Sequence, residues 1–161
     1  MSIADPRLLA IRDALVARLQ GITKANGYHF DIGTIGTSFK QIGEITNFPA
    51  ALVWTFLTRE RKAERNSDSR SAILSAPIVG MTLYVKSGDP GTDALKFAQD
   101  VVAAIEAQPR DLDLVDSSVR YVTKCVLTGY GIQTFKTEES GDYAQSELDF
   151  SVEYLMARGS I

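Results

Sequence analysis

The chain has one cysteine and one histidine among its 161 residues, and each scarcity removes a class of chemistry. A single thiol, Cys125, cannot build an internal disulfide framework. A single histidine, His29, supplies neither a usual zinc site nor the base of a Cys–His pair. No apolar run approaches the roughly 18 to 20 residues a membrane span needs. Asp5, Arg7, Arg12 and Asp13 interrupt the N-terminus where a signal peptide would be apolar. Positive charge is short too: 17 Lys and Arg face 20 Asp and Glu, for a net charge of −3. That balance opposes a protein built mainly to hold nucleic acid, and a cytosolic compartment is expected.

Catalytic motifs are missing as well. There is no G-x-x-x-x-G-K-[ST] phosphate loop, no G-x-S-x-G elbow and no H-E-x-x-H helix. Gly33-x-x-Gly36 lacks the third glycine and the following helix of a dinucleotide fingerprint. Asp89 and Asp93 sit at a helix start, where capping and the helix dipole account for them. Glu138, Glu139 and Asp142 read as a solvated loop. The expectation is a protein with no enzymatic activity, no cofactor and no metal.

What is present suits a folded core: 45% of residues are hydrophobic and 23% charged. The length fits a single domain spanning residues 1–161. Asp5-Pro6 opens a helix whose stripe is Leu8, Ile11, Leu15, Leu19 and Ile22, ending at Gly21. Tyr28 to Ile32 alternates as a short strand with His29 on its polar face, and residues 33–47 read as loop with a brief strand near Ser38 to Ile42. Ala50 to Thr58 is apolar on both faces and predicts a central strand covered on both sides. After the turn Ser87 to Gly91, Thr92 caps a second helix. Its stripe is Leu95, Ala98, Val102 and Ile105, with Phe97, Val101 and Ala104 alongside, and Pro109 ends it. Val119 to Thr128 is a strand holding Cys125 as an inert buried thiol; Gly129-Tyr-Gly131 interrupts it as a bulge or bend and Ile132 to Lys136 resumes it.

Ala144 to Ala157 carries the cleanest alternation in the chain. Leu148, Phe150, Val152, Tyr154 and Met156 share one face; Glu147, Asp149, Ser151 and Glu153 share the other. The acidic face reads as solvated, with contact to a basic neighbour as the alternative. The whole pattern predicts an α+β fold: a mostly antiparallel sheet, two helices packed on one face, and a protruding charged β-hairpin.

That hairpin is the feature most plainly directed outward. Phe48 to Leu57 and Ala72 to Val85 are two apolar runs joined by Arg59-Glu-Arg-Lys-Ala-Glu-Arg-Asn-Ser-Asp-Ser-Arg70. Its tip cannot be core. Its mixed charge suits a solvated hairpin tip that resists edge-to-edge aggregation; in the functional alternative Arg59, Arg61, Lys62, Arg65 and Arg70 are the candidate contacts to a neighbouring subunit or to passing DNA. The segment has no aromatic residue to stack on bases, so any DNA contact is transient, backbone-only and salt-sensitive.

In element order the chain resembles the tail terminator (tail completion, or neck) proteins of long-tailed bacteriophages. The resemblance rests on the helix Leu8 to Leu19, the run near Tyr28-His-Phe30, and Asn47-Phe-Pro-Ala-Ala-Leu-Val53. It continues through Val79-Gly-Met-Thr-Leu-Tyr-Val85, the helix Ala94 to Ala107 and Leu148-Asp-Phe-Ser-Val-Glu-Tyr154. It implies a structural virion protein, assembled in the host cytoplasm. It implies a ring, usually a homo-hexamer, that caps the head-proximal end of the tail tube and ends tube polymerisation. Implied partners are the tail tube protein, the neck or connector protein, and DNA passing through the lumen; no membrane is implied. Another head–tail connector or tube-like phage component is the alternative, followed by a small ligand-binding or enzymatic α+β domain.

Overall fold

The structure, a computed structural model, describes residues 6–57, 61–63, 73–107, 112, 114–116, 119–137 and 141–155. Helix α1 spans Pro6–Gln20, and strands β1 (Thr34–Gly36) and β2 (Ala50–Leu57) follow it. Next come β3 (Arg61–Ala63), β4 (Ile73–Ser75) and β5 (Ile78–Lys86). Helix α2 spans Pro90–Ile105, and the chain then forms β6 (Val115–Asp116), β7 (Val119–Arg120), β8 (Val122–Thr137) and β9 (Gly141–Leu155).

The fold is α+β: two helices on a mostly antiparallel sheet of five strand positions, in the order β1-β2-β5-β9-β8. Among the described residues only the β1–β2 pair is parallel. Strand β4 continues β5 along β9 without change of register, because Leu74 faces Leu155, Ser75 faces Tyr154 and Ile78 faces Ser151. At the break between them the Val152 N–H donates to the Pro77 carbonyl at 3.1 Å. Strand β3 lies antiparallel on β4, Arg61 opposite Ser75 and Ala63 opposite Ile73. The two apolar runs are therefore paired, β2 on β5, and Arg61–Ala63 of the charged segment pairs with β4 of the second run. Residues 59, 60 and 64–70 of the charged segment, and with them any protrusion of its tip, lie outside the described residues.

One face of the sheet meets the helices. Ile11, Leu15 and Leu19 of α1 and Phe97, Val101 and Ile105 of α2 pack on Val53, Met81, Leu83, Leu148, Phe150 and Val152, all 0–1% exposed. Arg18 ties the helices together by donating to the Ala107 carbonyl at the end of α2, at 2.7 Å. Arg7 anchors the start of α1 by donating to the Leu155 carbonyl at 2.7 Å while its guanidinium lies 4.6 Å from the Tyr121 ring centre. The alternation of the last strand holds: Leu148, Phe150, Val152 and Tyr154 are buried, while Glu147 and Asp149 are exposed. Met156 is beyond the described residues.

Five sequence expectations need correction. Tyr28 to Ile32 forms no ladder: the chain bends at His29, and the His29 and Phe30 N–H groups donate to the Asp100 carboxylate instead of to a strand. Its alternation is real, because Tyr28, Phe30 and Ile32 pack on the core. The strand in this region is Thr34–Gly36, inside the predicted loop; Ser38 to Ile42, where a brief strand was expected, forms none, and a single 3-10 turn follows at Ile42–Glu44. The N-cap of α2 is Asp89, whose carboxylate accepts from the Thr92 N–H, with Pro90 filling the first turn. The buried face of α2 is Ala94, Phe97, Val101, Ala104 and Ile105; Leu95 points out at 55% exposure. Finally, β2 is covered on both faces only from Ala50 to Val53.

The bulge predicted near Gly129 is present, and a second one accompanies it. The β8–β9 register shifts at Thr123 and at Thr128. Each extra threonine turns its hydroxyl across the gap, Thr123 to the Glu153 carbonyl and Thr128 to the Asp149 carbonyl, both at 3.1 Å. Between the bulges Cys125 is fully buried, as expected. Gly33 is required by a close crossing of the chain: a Cβ there would lie 2.8 Å from the Asn47 carbonyl carbon and 2.9 Å from the Phe48 carbonyl oxygen.

Candidate functional site

The second face of the sheet, away from the helices, is covered over half its length. Residues 37–48 lie over Ala50, Leu52, Tyr84 and Tyr143, with Ile42 and Phe48 packed against them. The Tyr84 hydroxyl donates to the Lys40 carbonyl at 2.8 Å. Burial first, and then the Glu147 carboxylate, raise the Tyr84 pKa above its ordinary value.

The cover ends at Trp54. The β2–β5 register shifts there, between Val53 and Thr55. A bulge places two residues of one strand opposite one of its partner, and here it turns both Trp54 and Thr55 to the second face. Thr55 stands against Gly80, and the Trp54 indole N–H donates to the Thr82 hydroxyl at 2.8 Å. Thr82, fully buried, hands the interaction on by donating to the Glu147 carboxylate at 2.9 Å. Gln145 donates to the same carboxylate at 3.0 Å. Hydrogen bonds in such a chain polarise one another, so the Trp54 ring and the Glu147 carboxylate are held in fixed positions. Phe39 leans on the indole with ring centres 5.1 Å apart. Even so, Trp54 is 42% exposed, Phe39 46% and Leu57 57%.

Beside this apolar rim runs the acidic row of β9. Glu147 and Asp149 are exposed and Glu153 is half-buried. Glycines flank the row: Gly80 and Gly129 face Asp149 from either side, and Gly131 faces Glu147. On the β8 side these glycines place no side chain beside Asp149 and Glu147. Their bonded partners are neutral: Thr82 and Gln145 at Glu147, and the Thr123 hydroxyl at Glu153. Among the described residues the ion pairs, Arg12–Asp13 and His29–Asp100, lie elsewhere.

The candidate contact residues named from sequence fall unevenly on this picture. Arg61 and Lys62 belong to β3, paired with Ser75 and Leu74. Arg59, Arg65 and Arg70 are outside the described residues.

Sequence reasoning missed two arrangements. The first is a groove of about 400 Å³ between α2 and β8, lined by Leu95, Ala98, Val102, Leu127, Tyr130 and Ile132 among others. Tyr130 is 71% exposed on its rim. The apolar width of α2 was the available signal, since a helix with so broad a stripe cannot turn all of it to one sheet. The second is the pairing of His29 with Asp100, expected to be a surface imidazole and an unremarked helical carboxylate. The His29 ring Nδ1 lies 2.7 Å from Asp100 Oδ1, and Asp100 is 3% exposed. An aspartate amid Phe97, Val101 and Ala104 was the signal. Cys125 offers no reactive thiol: burial, with the Glu106 carboxylate second, pushes its pKa up to about 12. Among the described residues no group of His, Cys, Asp and Glu could hold a metal ion, and no helix is long and apolar enough to cross a membrane.

No family model matches the sequence, and no curated protein matches it. Among solved structures, the chain is similar to one from the virion of a native gene transfer agent (GTA) particle, at a TM-score of 0.54 and 11% identity. The similarity covers 91% of this chain and 95% of that one, so the two share a fold over nearly their whole lengths.

Proposed function

We propose that the protein is a structural, non-enzymatic virion component of the tail-terminator type. In this reading it forms a ring, a homo-hexamer, on the head-proximal end of a phage-like tail tube. It stops tube growth and presents its other surface to the neck or connector. The observation that carries the reading is the nearly full-length fold shared with a chain of a GTA virion particle. The element order that resembles tail terminators supports it from the sequence side. A bare sheet face with an exposed tryptophan and an exposed leucine also suits a subunit that completes its surface by assembly. An acidic chain of net charge −3 suits a lumen through which DNA must slide without being held.

The test adds the purified protein to polymerising tail-tube subunits. Tubes of limited length with a ring at one end are expected, and tubes that grow unchanged would refute the reading. The shared fold equally supports another head–tail connector or tube-like component. Incorporation along the tube, or binding to the connector without any effect on tube length, would favour that alternative.

A further inference from the structure

We propose that the bare half of the second sheet face receives the basic segment 59–70 of a second copy of this chain. The inference rests on the ring reading above and names the two surfaces that would close the ring.

The face is built to be covered. Residues 37–48 roof the sheet as far as Trp54 and, among the described residues, no element lies over the face beyond it. What is left bare pairs apolar surface with carboxylates. Trp54 and Leu57 on β2 are 42% and 57% exposed, and Glu147 and Asp149 stand on β9, across the intervening strand β5. On the β8 side Gly129 and Gly131 lower the surface beside Asp149 and Glu147, leaving a shallow trench along that edge of β9. A run of carboxylates at strand spacing repels itself; Lys124 stands opposite Glu153 at one end of the row, and among the described residues no ion pair is formed by Glu147 or Asp149.

Charge complementarity selects the occupant. The segment 59–70 carries Arg59, Arg61, Lys62, Arg65 and Arg70 against Glu60, Glu64 and Asp68, in a chain that is acidic overall. Four of its five cations are arginines, whose planar guanidinium suits both halves of the surface. It bonds carboxylates with two parallel N–H donors and stacks on indole rings. The glycine-bordered trench gives such a group room to lie flat. A nucleic acid is the wrong occupant, since its phosphates would meet the same carboxylates with repulsion. The face and the segment are different surfaces of one subunit. A contact between them is therefore head-to-tail, the kind that closes into rings.

A two-way charge exchange tests this. One variant carries Asp149→Lys and Glu153→Lys; the other carries Arg59→Glu, Arg61→Glu and Arg65→Glu. Glu147 is left intact because it accepts from the buried Thr82 hydroxyl. Assembly is read by native mass spectrometry and by capping of tail tubes, with the thermal transition as the folding control. Each variant alone should associate at least about tenfold more weakly than the parent chain. An equimolar mixture should recover assembly, because each acidic surface again faces a basic one. Emission from Trp54, the single tryptophan, should shift to the blue only on assembly. If the lysine variant unfolds, the near-isosteric pair Asp149→Asn and Glu153→Gln replaces it, and loss of assembly is again expected. Variants that assemble like the parent overturn the inference while leaving the ring reading intact. A mixture of folded variants that does not recover assembly overturns it as well, since docking within one chain gives that result. A parent chain that assembles neither alone nor on tubes refutes the ring reading, and this inference with it.

Discussion

Replacing Asp100 by alanine should cost more stability than its position on a helix suggests. The carboxylate is 3% exposed and serves three donors. Oδ2 accepts from the backbone N–H of His29 at 2.9 Å and of Phe30 at 3.2 Å, and Oδ1 meets His29 Nδ1 at 2.7 Å. It thus stands in for the strand partner that residues 28–32 lack. It also seats Phe30 edge-on against Phe97, with ring centres 5.8 Å apart. A hydrogen bond to a charged group contributes about 1.5–3 kcal/mol, and an orphaned buried donor costs about 1–3 kcal/mol. The His29 side chain is 49% exposed, so its share is small and largely recoverable by water. The two backbone donors dominate, and Asp100→Ala should lose about 2–4 kcal/mol. In a chain of this size that lowers Tm by roughly 5–15 °C. Urea unfolding followed by circular dichroism should show a lower midpoint at unchanged slope, the mark of a pure stability change. His29→Ala, which keeps both backbone bonds, should lose no more than about 1 kcal/mol. Asp100→Ala losing less than about 0.5 kcal/mol, or no more than His29→Ala, would refute the reasoning.

Two further outcomes are expected. With its pKa pushed up to about 12, Cys125 should resist thiol reagents at pH 8 in the native protein and react once the chain is unfolded. Because that folded value lies above the ordinary 9.0, the folded state holds its proton longer than the unfolded one. The Cys125 contribution to stability should therefore be intact below about pH 9 and be lost between pH 9 and 12, by up to about 1.4 kcal/mol per pH unit. Cys125→Ala should flatten that slope in part, the remainder coming from Tyr84, whose pKa is also raised. Gly33→Ala forces apart the crossing with Asn47 and Phe48 and should cost about 1–3 kcal/mol by thermal unfolding, whereas Gly43→Ala, where a Cβ meets nothing, should be nearly neutral.

Local periodicity determined a good deal of this protein. The spacing of Ile11, Leu15, Leu19 and Ile22 marked α1 and its buried stripe, and all four are at most 1% exposed. The alternation from Leu148 to Tyr154 marked β9 and left its acidic face in water. Both patterns are legible because each element buries one face, and burial of one face imposes the element's own period on the residues. The same logic placed the bulge near Gly129. Period alone could not choose between ladder and coil at Tyr28 to Ile32, because alternation records which side is buried and says nothing of where the N–H groups go. Those went to Asp100, distant in sequence, and only the tertiary fold brought it there. Nor could a wide apolar stripe say which half of α2 meets the sheet. Packing turned Phe97 and Val101 inward and left Leu95 and Val102 to line a groove with β8. The charged segment stood out in the sequence because polarity between two apolar strands is a local signal. The surface complementary to it did not. It gathers Trp54 and Leu57 from β2, a glycine from β5 and carboxylates from β9, and only the pairing of those strands makes them neighbours.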